Sequence, residues 1–371
     1  MDLEQAMREI GEQESALQQF DLPSRQIRCE PGIIRAGDMQ MRLAQDGIRH
    51  LCVRLQAPFC YIRKLDESMG MALLQHQIDR GDLEKNLGSA LVTVIAADGE
   101  FFGLAEAHLV RLPGVEILSA VIQGIGEETT LVDVHDLQVS PKGFQLEVLS
   151  RNLAEEVLPG DVVRAGVRLT HSFMGESATL IETYILRLVC SNGLLHRSCV
   201  SRRVPRTRRL PSYLPGARER QREQVKRLAA EVWSALGSKL HALRVLTTER
   251  VEVPQLLSRW LERGRLSSGA LMPFLLQAWR EGGAMSTMWA ALNSLTAVGT
   301  HNPELSHRQR QVLLRLAGLL AFRHVHLCPR CFSLLSEPWS AGGGARSKEE
   351  DSLPDGGIDG KEASLSTVAE H

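Results

Sequence analysis

The stretch from Gly160 to Val200, GDVVRAGVRLTHSFMGESATLIETYILRLVCSNGLLHRSCV, constrains the fold most, because it encodes the clearest pair of β-strands in the chain. From Val162 to Thr170 the side chains alternate: Val163, Ala165, Val167 and Leu169 fall on one face, and Val162, Arg164 and Arg168 on the other. His171, Ser172, Gly175, Glu176 and Ser177 supply a turn, and Thr179 to Val189 is rich in β-branched and aliphatic residues. The two segments predict a hairpin. Ser191-Asn192-Gly193 suits positive φ, so it closes the second strand at Cys190 and starts a return at Leu194-Leu195.

The residues before this pair predict helix first and strand later. Residues 3–20 read as a helix ended by Asp21-Leu22-Pro23-Ser24, and residues 25–35 as a strand. Asp38 to Leu55 predicts a helix with Asp38 as N-cap and Met41, Ala44, Ile48, Leu51 and Leu55 on one stripe. Pro58 breaks it, and a second helical passage runs from Phe59 to Asp79, ending at Arg80-Gly81-Asp82. Leu91–Ile95 and Phe101–Leu104 flank Asp98-Gly99, a strong hairpin signal. A short helix is predicted at 105–112, and strands at 115–125, 130–139 and 144–149. Short turns between strands favour antiparallel pairing. No glycine-rich phosphate loop opens a helix after any of these strands, which argues against a nucleotide-binding α/β fold.

Three segments in order carry a family resemblance. The pattern GDVVRAGV at 160–167, its following turn and LRLVCSNGL at 186–194 form one; RLAQDGIRHLCVRLQAPFCYIRKL at 42–65 is the second; ALNSLTAVGTHNPELSHRQRQVLLRLAGLLAF at 291–322, with Asn293, Thr296 and Gly318, is the third. Together they resemble the phage- and plasmid-associated domain-of-unknown-function family numbered 932, over roughly residues 35–322. The resemblance implies a role carried by mobile genetic elements and transfers no catalytic residue.

The sharpest physical signal follows the strand pair. Arg197, Arg202, Arg203, Arg206, Arg208 and Arg209 lie within thirteen residues with no acid among them, and Pro205 and Pro211 keep the segment from regular helix. Arg218, Arg220, Arg222, Lys226 and Arg227 extend the charge into the next helix, offset by Glu219 and Glu223. Solvation of a loop and a helix face would explain positive charge, but not the near-exclusive use of arginine. Its planar fork matches phosphate bidentately and stacks on bases. Six to ten phosphate contacts suffice, in rough terms, for salt-sensitive nucleic-acid binding. Arg197, Arg202, Arg203, Arg206, Arg208, Arg209, Arg218 and Arg222 are therefore the candidate nucleic-acid-binding residues.

Beyond Val200 the chain predicts helix. Residues 217–247 read as one long helix with Val225, Leu228, Ala229, Val232, Leu236, Leu240 and Leu243 on its apolar stripe. A further helix starts at Val253-Pro254-Gln255, and Trp233, Trp260, Trp279 and Trp289 read as helical core.

A search for catalytic chemistry is mostly negative. The histidines are dispersed, and adjacent His171 and Ser172 would point to opposite faces of a strand. Cys190 reads as a small buried hydrophobe. One metal candidate remains: Cys328 and Cys331 in CPRC have zinc-knuckle spacing, and His324 and His326 could complete the set. A second Cys-x-x-Cys is missing, so zinc is the one possible cofactor and an unligated pair is the alternative. The seven scattered cysteines do not suggest a disulfide framework, which fits a reducing cytoplasm. No apolar run approaches the roughly 20 residues of a membrane span, and the acidic N-terminus lacks a signal-peptide apolar region.

These readings combine into an α+β protein: a central, mainly antiparallel sheet at about 89–200, flanked by an N-terminal and a C-terminal helical part. The expected divisions are a peripheral segment at 1–34, an α+β core at 35–200, a basic connection at 201–216, helices at 217–327, a CxxC extension at 328–339 and a disordered Gly/Ser/acid-rich tail at 340–371. The leading expectation is a non-enzymatic nucleic-acid-binding protein of a phage- or plasmid-type mobile element, DNA before RNA, handling single-stranded DNA in replication or recombination. An assembly module, including a homo-oligomer, and a nucleic-acid-processing enzyme are the alternatives.

Overall fold

The computed structural model describes residues 1–126, 132–174, 179–188, 192–196, 210–263 and 266–322; for 192–196, 263, 307 and 308 it describes the backbone alone. Helix α1 (Leu3–Ser15) starts at Asp2, whose carboxylate accepts the Gln5 N–H at 2.7 Å, and it buries Ala6 and Ile10. It stops short of residue 20 because β1 (Gln18–Pro23) pairs antiparallel with β5 (Leu91–Ala97). The N-terminal segment is thus part of the sheet and not peripheral to it.

Where one strand and then a helix from Asp38 were predicted, the chain makes a three-stranded meander: β2 (Ile27–Glu30), β3 (Ile33–Ala36) and β4 (Met39–Arg42). Gly32 and Gly37, at φ +69° and +60°, allow the two-residue turns that pair Glu30 with Ile33 and Ala36 with Met39. Asp38 is therefore a turn residue, and α2 covers only Gln45–Arg54. The passage predicted from Phe59 to Asp79 is two helices, α3 (Phe59–Ile62) and α4 (Glu67–Asp79), with Asp66 capping the second. Helix α5 (Asp82–Leu87) follows. As predicted, β5 and β6 (Glu100–Glu106) form a hairpin across Asp98-Gly99, both at positive φ.

The first sheet runs β1-β5-β6-β4-β3-β2, antiparallel except where β4 meets β6 at Arg42 and Glu100. Its strands supply Ile27, Ile34, Met41, Val94 and Phe101 to a core completed by Leu51, Leu74 and Leu83 of α2, α4 and α5. The other side of β5 and β6 buries Ile95, Ala97 and Ala105 in the larger core described next.

Residues 105–112 hold no helix, and the predicted strand at 115–125 is instead helix α6 (Gly114–Ile125). Ile117, Leu118, Val121 and Ile125 recur at helical spacing and are buried, and this period outweighs the β-branched composition. The second sheet is β7 (Val132–Ser140), β8 (Gly143–Leu158), β9 (Asp161–Ser172), β10 (Leu180–Arg187) and β11 (Asn192–His196). Its order is β11-β10-β9-β8-β7, antiparallel throughout. The single central sheet expected at 89–200 is therefore two sheets, because β5 and β6 join the N-terminal strands. Gly166 is required where β9 crosses β8: a Cβ there would lie 1.9 Å from the Val148 carbonyl oxygen.

The helix predicted over 217–247 is two, α7 (Ala217–Ser234) and α8 (Leu236–Thr248), joined at Ala235; Trp233 and Leu236 are buried on either side of the join. Helices α9 (Val253–Arg263), α10 (Ser268–Glu281), α11 (Met288–His301) and α12 (His307–Phe322) complete the described fold. One face of the second sheet, with Val163, Val167, Leu169, Ile181 and Ile185, shares a core with α6 to α12 in which Trp233, Trp260 and Trp289 are buried. The class is α+β. Among the described residues no helix is long and apolar enough to cross a membrane.

Candidate nucleic-acid interface

Arg197, Arg202, Arg203, Arg206, Arg208 and Arg209 lie outside the described residues, but both flanks of the run are described. Upstream, β11 pairs with β10 from Asn192 to His196. Downstream, residues 210–212 lie against 108–110: the Val110 N–H donates to the Leu210 carbonyl at 2.8 Å, and the Ser212 N–H to the His108 carbonyl at 2.7 Å. The Ser212 hydroxyl donates to the same carbonyl at 3.1 Å. The run therefore connects a sheet edge to the segment between β6 and α6, with each attachment made by backbone hydrogen bonds.

From there the chain enters a tight turn. The Leu214 N–H donates to the Pro211 carbonyl at 3.2 Å, and Gly216, at φ +66°, precedes α7. Tyr213 sits in the turn with 76% of its surface exposed, the largest value among the exposed large hydrophobic residues described. Its one signal in the sequence is an aromatic between two prolines beside a run of arginine.

Of the eight candidate arginines, Arg218 and Arg222 are described, and both lie on the side of α7 that meets α6. Arg218 grips Glu116 with two nitrogens, one at 3.1 Å, and this hydrogen-bonded carboxylate raises the guanidinium pKa above its ordinary value. Arg222 donates to the Gln123 side chain at 3.2 Å and lies 3.9 Å from Glu219. The helices touch closely behind them: a Cβ on Gly124 would lie 2.3 Å from the Lys226 carbonyl oxygen. Arg220 and Arg227 are exposed on the far side of α7, and Arg220 also donates to the Pro215 carbonyl at 2.5 Å. The docked arginines tie α7 to α6, and on the outward side Glu223, also exposed, stands between Arg220 and Arg227 at helical spacing.

The other concentration of charge is buried. Glu147, Arg168 and Glu182 stand in register across β8, β9 and β10 on the face opposite the main core. Arg168 bonds Glu147 and donates to Gln311 of α12 at 3.1 Å, and its guanidinium lies 5.2 Å from the Tyr184 ring centre. Arg315 of the same helix faces Glu182. Burial, with Glu147 next in effect, raises the Tyr184 pKa above its ordinary value. A second buried group joins Asp161 to Arg187 at 2.5 Å and to the Trp289 indole at 3.0 Å. These paired charges hold helices to strands; Arg187 alone among those named is partly exposed, at 24% of its side chain.

The remaining chemical candidates resolve simply. The His171 ring is within hydrogen-bond distance of the Thr179 hydroxyl, at 3.0 Å, while Ser172 donates to the Lys142 carbonyl at 3.2 Å, so the two form no nucleophile pair. Burial pushes the Cys29 and Cys52 thiols up to about 12 and about 11, which makes them poor nucleophiles. Among the described residues no group of three or more His, Cys, Asp or Glu could hold a metal ion. His324, His326, Cys328 and Cys331 lie outside those residues, as does Cys190. No family model, no curated protein and no solved structure matches the chain.

Proposed function

We propose that this chain is a non-enzymatic nucleic-acid-binding protein of a phage- or plasmid-type mobile element, related to the family numbered 932 that it resembles. It acts in the cytoplasm, prefers DNA to RNA, and handles single-stranded DNA during replication or recombination. The observation that carries the reading is the arginine run between two hydrogen-bonded attachments, β11 on one side and the 210–212 pairing with 108–110 on the other. A cation-rich segment whose two ends are held by described hydrogen bonds has less freedom to lose on binding a polyanion. Arg220 and Arg227, exposed on the outer side of α7 with Glu223 between them, add two cations beyond the run. Affinity of this kind comes from counterion release and is blind to base sequence.

The test is a titration of the purified chain against single- and double-stranded DNA and RNA over a range of salt. Binding that weakens linearly in log salt, with little dependence on sequence, is the expected result. Failure to bind any of them at low salt would remove the reading.

A further inference from the structure

We infer that β1 is a dimerisation edge: two copies of this chain join their first sheets through β1, antiparallel about a two-fold axis beside Phe20. A strand at the end of a sheet offers a row of unpaired backbone groups, and folds usually cover or distort such an edge. Three of the four sheet edges among the described residues are treated in this way. At β2 the Ile27 N–H donates to the Ser24 carbonyl, the Ile27 carbonyl accepts from Arg28 at 3.0 Å, and the Cys29 N–H donates to the Gln75 side chain at 2.7 Å. At β7 the ladder is bulged between Val134 and Asp136, and α1 packs beside it. Helices α11 and α12 pack against β11. By contrast, β1 pairs with β5 without a bulge from Gln18 to Pro23.

The ladder also fixes which groups face outward. The Ser24 N–H donates to the Ala90 carbonyl at 2.8 Å, so the alternation of an antiparallel pair directs the backbone groups of Leu22, Phe20 and Gln18 to β5. Those of Gln19 and Asp21 point away from the sheet; no described residue bonds them, and both residues are exposed. Pro23 has no N–H to offer and closes the row. Two such rows complement each other in one register. With Phe20 opposite Phe20 of the partner subunit, each Gln19 exchanges both backbone bonds with the partner's Asp21. The Gln19 carboxamide then stands beside that carboxylate, which has one oxygen on the Thr93 hydroxyl at 2.5 Å and the other left to accept. The two rings of Phe20, half-buried against the first core, meet across the axis. Sliding the strands one way opposes Asp21 to the partner's Asp21, a like-charge pair. Sliding them the other way opposes Asp21 to the partner's Leu17, whose N–H already serves the Glu14 carbonyl at 3.1 Å. A row that complements itself specifies a second copy over an unrelated strand, and the contact closes at two chains.

The experiment follows the mass of the full chain by light scattering over a range of concentration, and traps the contact by mild oxidation. The parent should pass from monomer to dimer as concentration rises. Gln19→Pro should weaken the dimer by about tenfold or more, because each copy loses an outward N–H. It removes no bond to β5, so the melting temperature of the dilute protein should be unchanged. Phe20→Cys puts two sulfurs on the axis, in a pair whose Cα atoms stand about 4.5 Å apart, and should give a covalent dimer on oxidation. Gln18→Cys puts them roughly 13 Å apart along the strands and should give no more than the parent, treated alike to account for the native cysteines. A parent that is monomeric at every concentration would overturn the proposal. So would a dimer that Gln19→Pro leaves intact, or equal trapping through Gln18→Cys and Phe20→Cys. If Gln19→Pro lowers the melting temperature, the trapping pair decides. No nucleic acid enters these measurements, so the result is independent of the function proposed above.

Discussion

Arg315 of α12 and Glu182 of β10 form an ion pair at 3.5 Å in which the side chains are 5% and 2% exposed. The pair fastens the closing helix to the outer face of the second sheet, beside the Arg168–Gln311 bond. Leu314 of the same helix packs in a cluster with Leu149, Tyr184 and Leu186.

Arg315→Ala should therefore be costly. Removing one partner of a buried ion pair typically costs about 3–5 kcal/mol. The double variant Arg315→Met with Glu182→Gln removes both charges and should recover much of that loss. Urea melts of the two proteins compare them directly; equal destabilisation would show that the pairing is incidental to packing.

Lys239 should make stability depend on alkaline pH. Its ammonium donates to Thr183 at 2.6 Å and lies 5.8 Å from the Phe322 ring centre, and burial pushes its pKa from 10.5 down to about 8. Between those values the unfolded chain holds a proton that the folded chain has released, so this group makes stability rise with pH. Below about pH 8 the desolvation penalty is fully present, of order 3 kcal/mol. The stability difference between Lys239→Met and the parent should shift toward the parent from pH 8 to 10. A pH-independent difference would contradict the assignment.

The α6–α7 contact should depend on packing and not on its surface ion pair. Gly124→Ala drives a methyl into the Lys226 carbonyl and should lower stability by about 1–3 kcal/mol or more. Arg218→Ala removes an exposed pair with Glu116 and should cost at most about 1 kcal/mol. Thermal melts in the reverse order would mean that the arginine, and not the close approach, docks α7.

What the sequence made legible was local. Alternation in β9 and the Asp98-Gly99 turn identified the two hairpins because each signal lies within a few residues of its effect. The strand β1 was missed because its partner β5 is far along the chain. The helix α6 was missed because Val115, Ile117, Val121 and Ile122 have strand composition at helical spacing. Alternation separated Arg168 from the apolar face of β9, but only register with Glu147 and the covering α12 reveals it as buried. The arginine run was legible as charge. Tyr213 was not, since a single aromatic in a short proline-bracketed turn has no period to betray it.

The central claim is tested most directly by replacing Arg202, Arg203, Arg206, Arg208 and Arg209 together with Gln and measuring single-stranded DNA affinity against salt. The account predicts a folded protein that binds unrelated sequences uniformly more weakly. The slope of log K on log salt should fall by several units, roughly 0.7 per lost phosphate contact on a single strand. A folded variant with the parent's affinity and slope would contradict it.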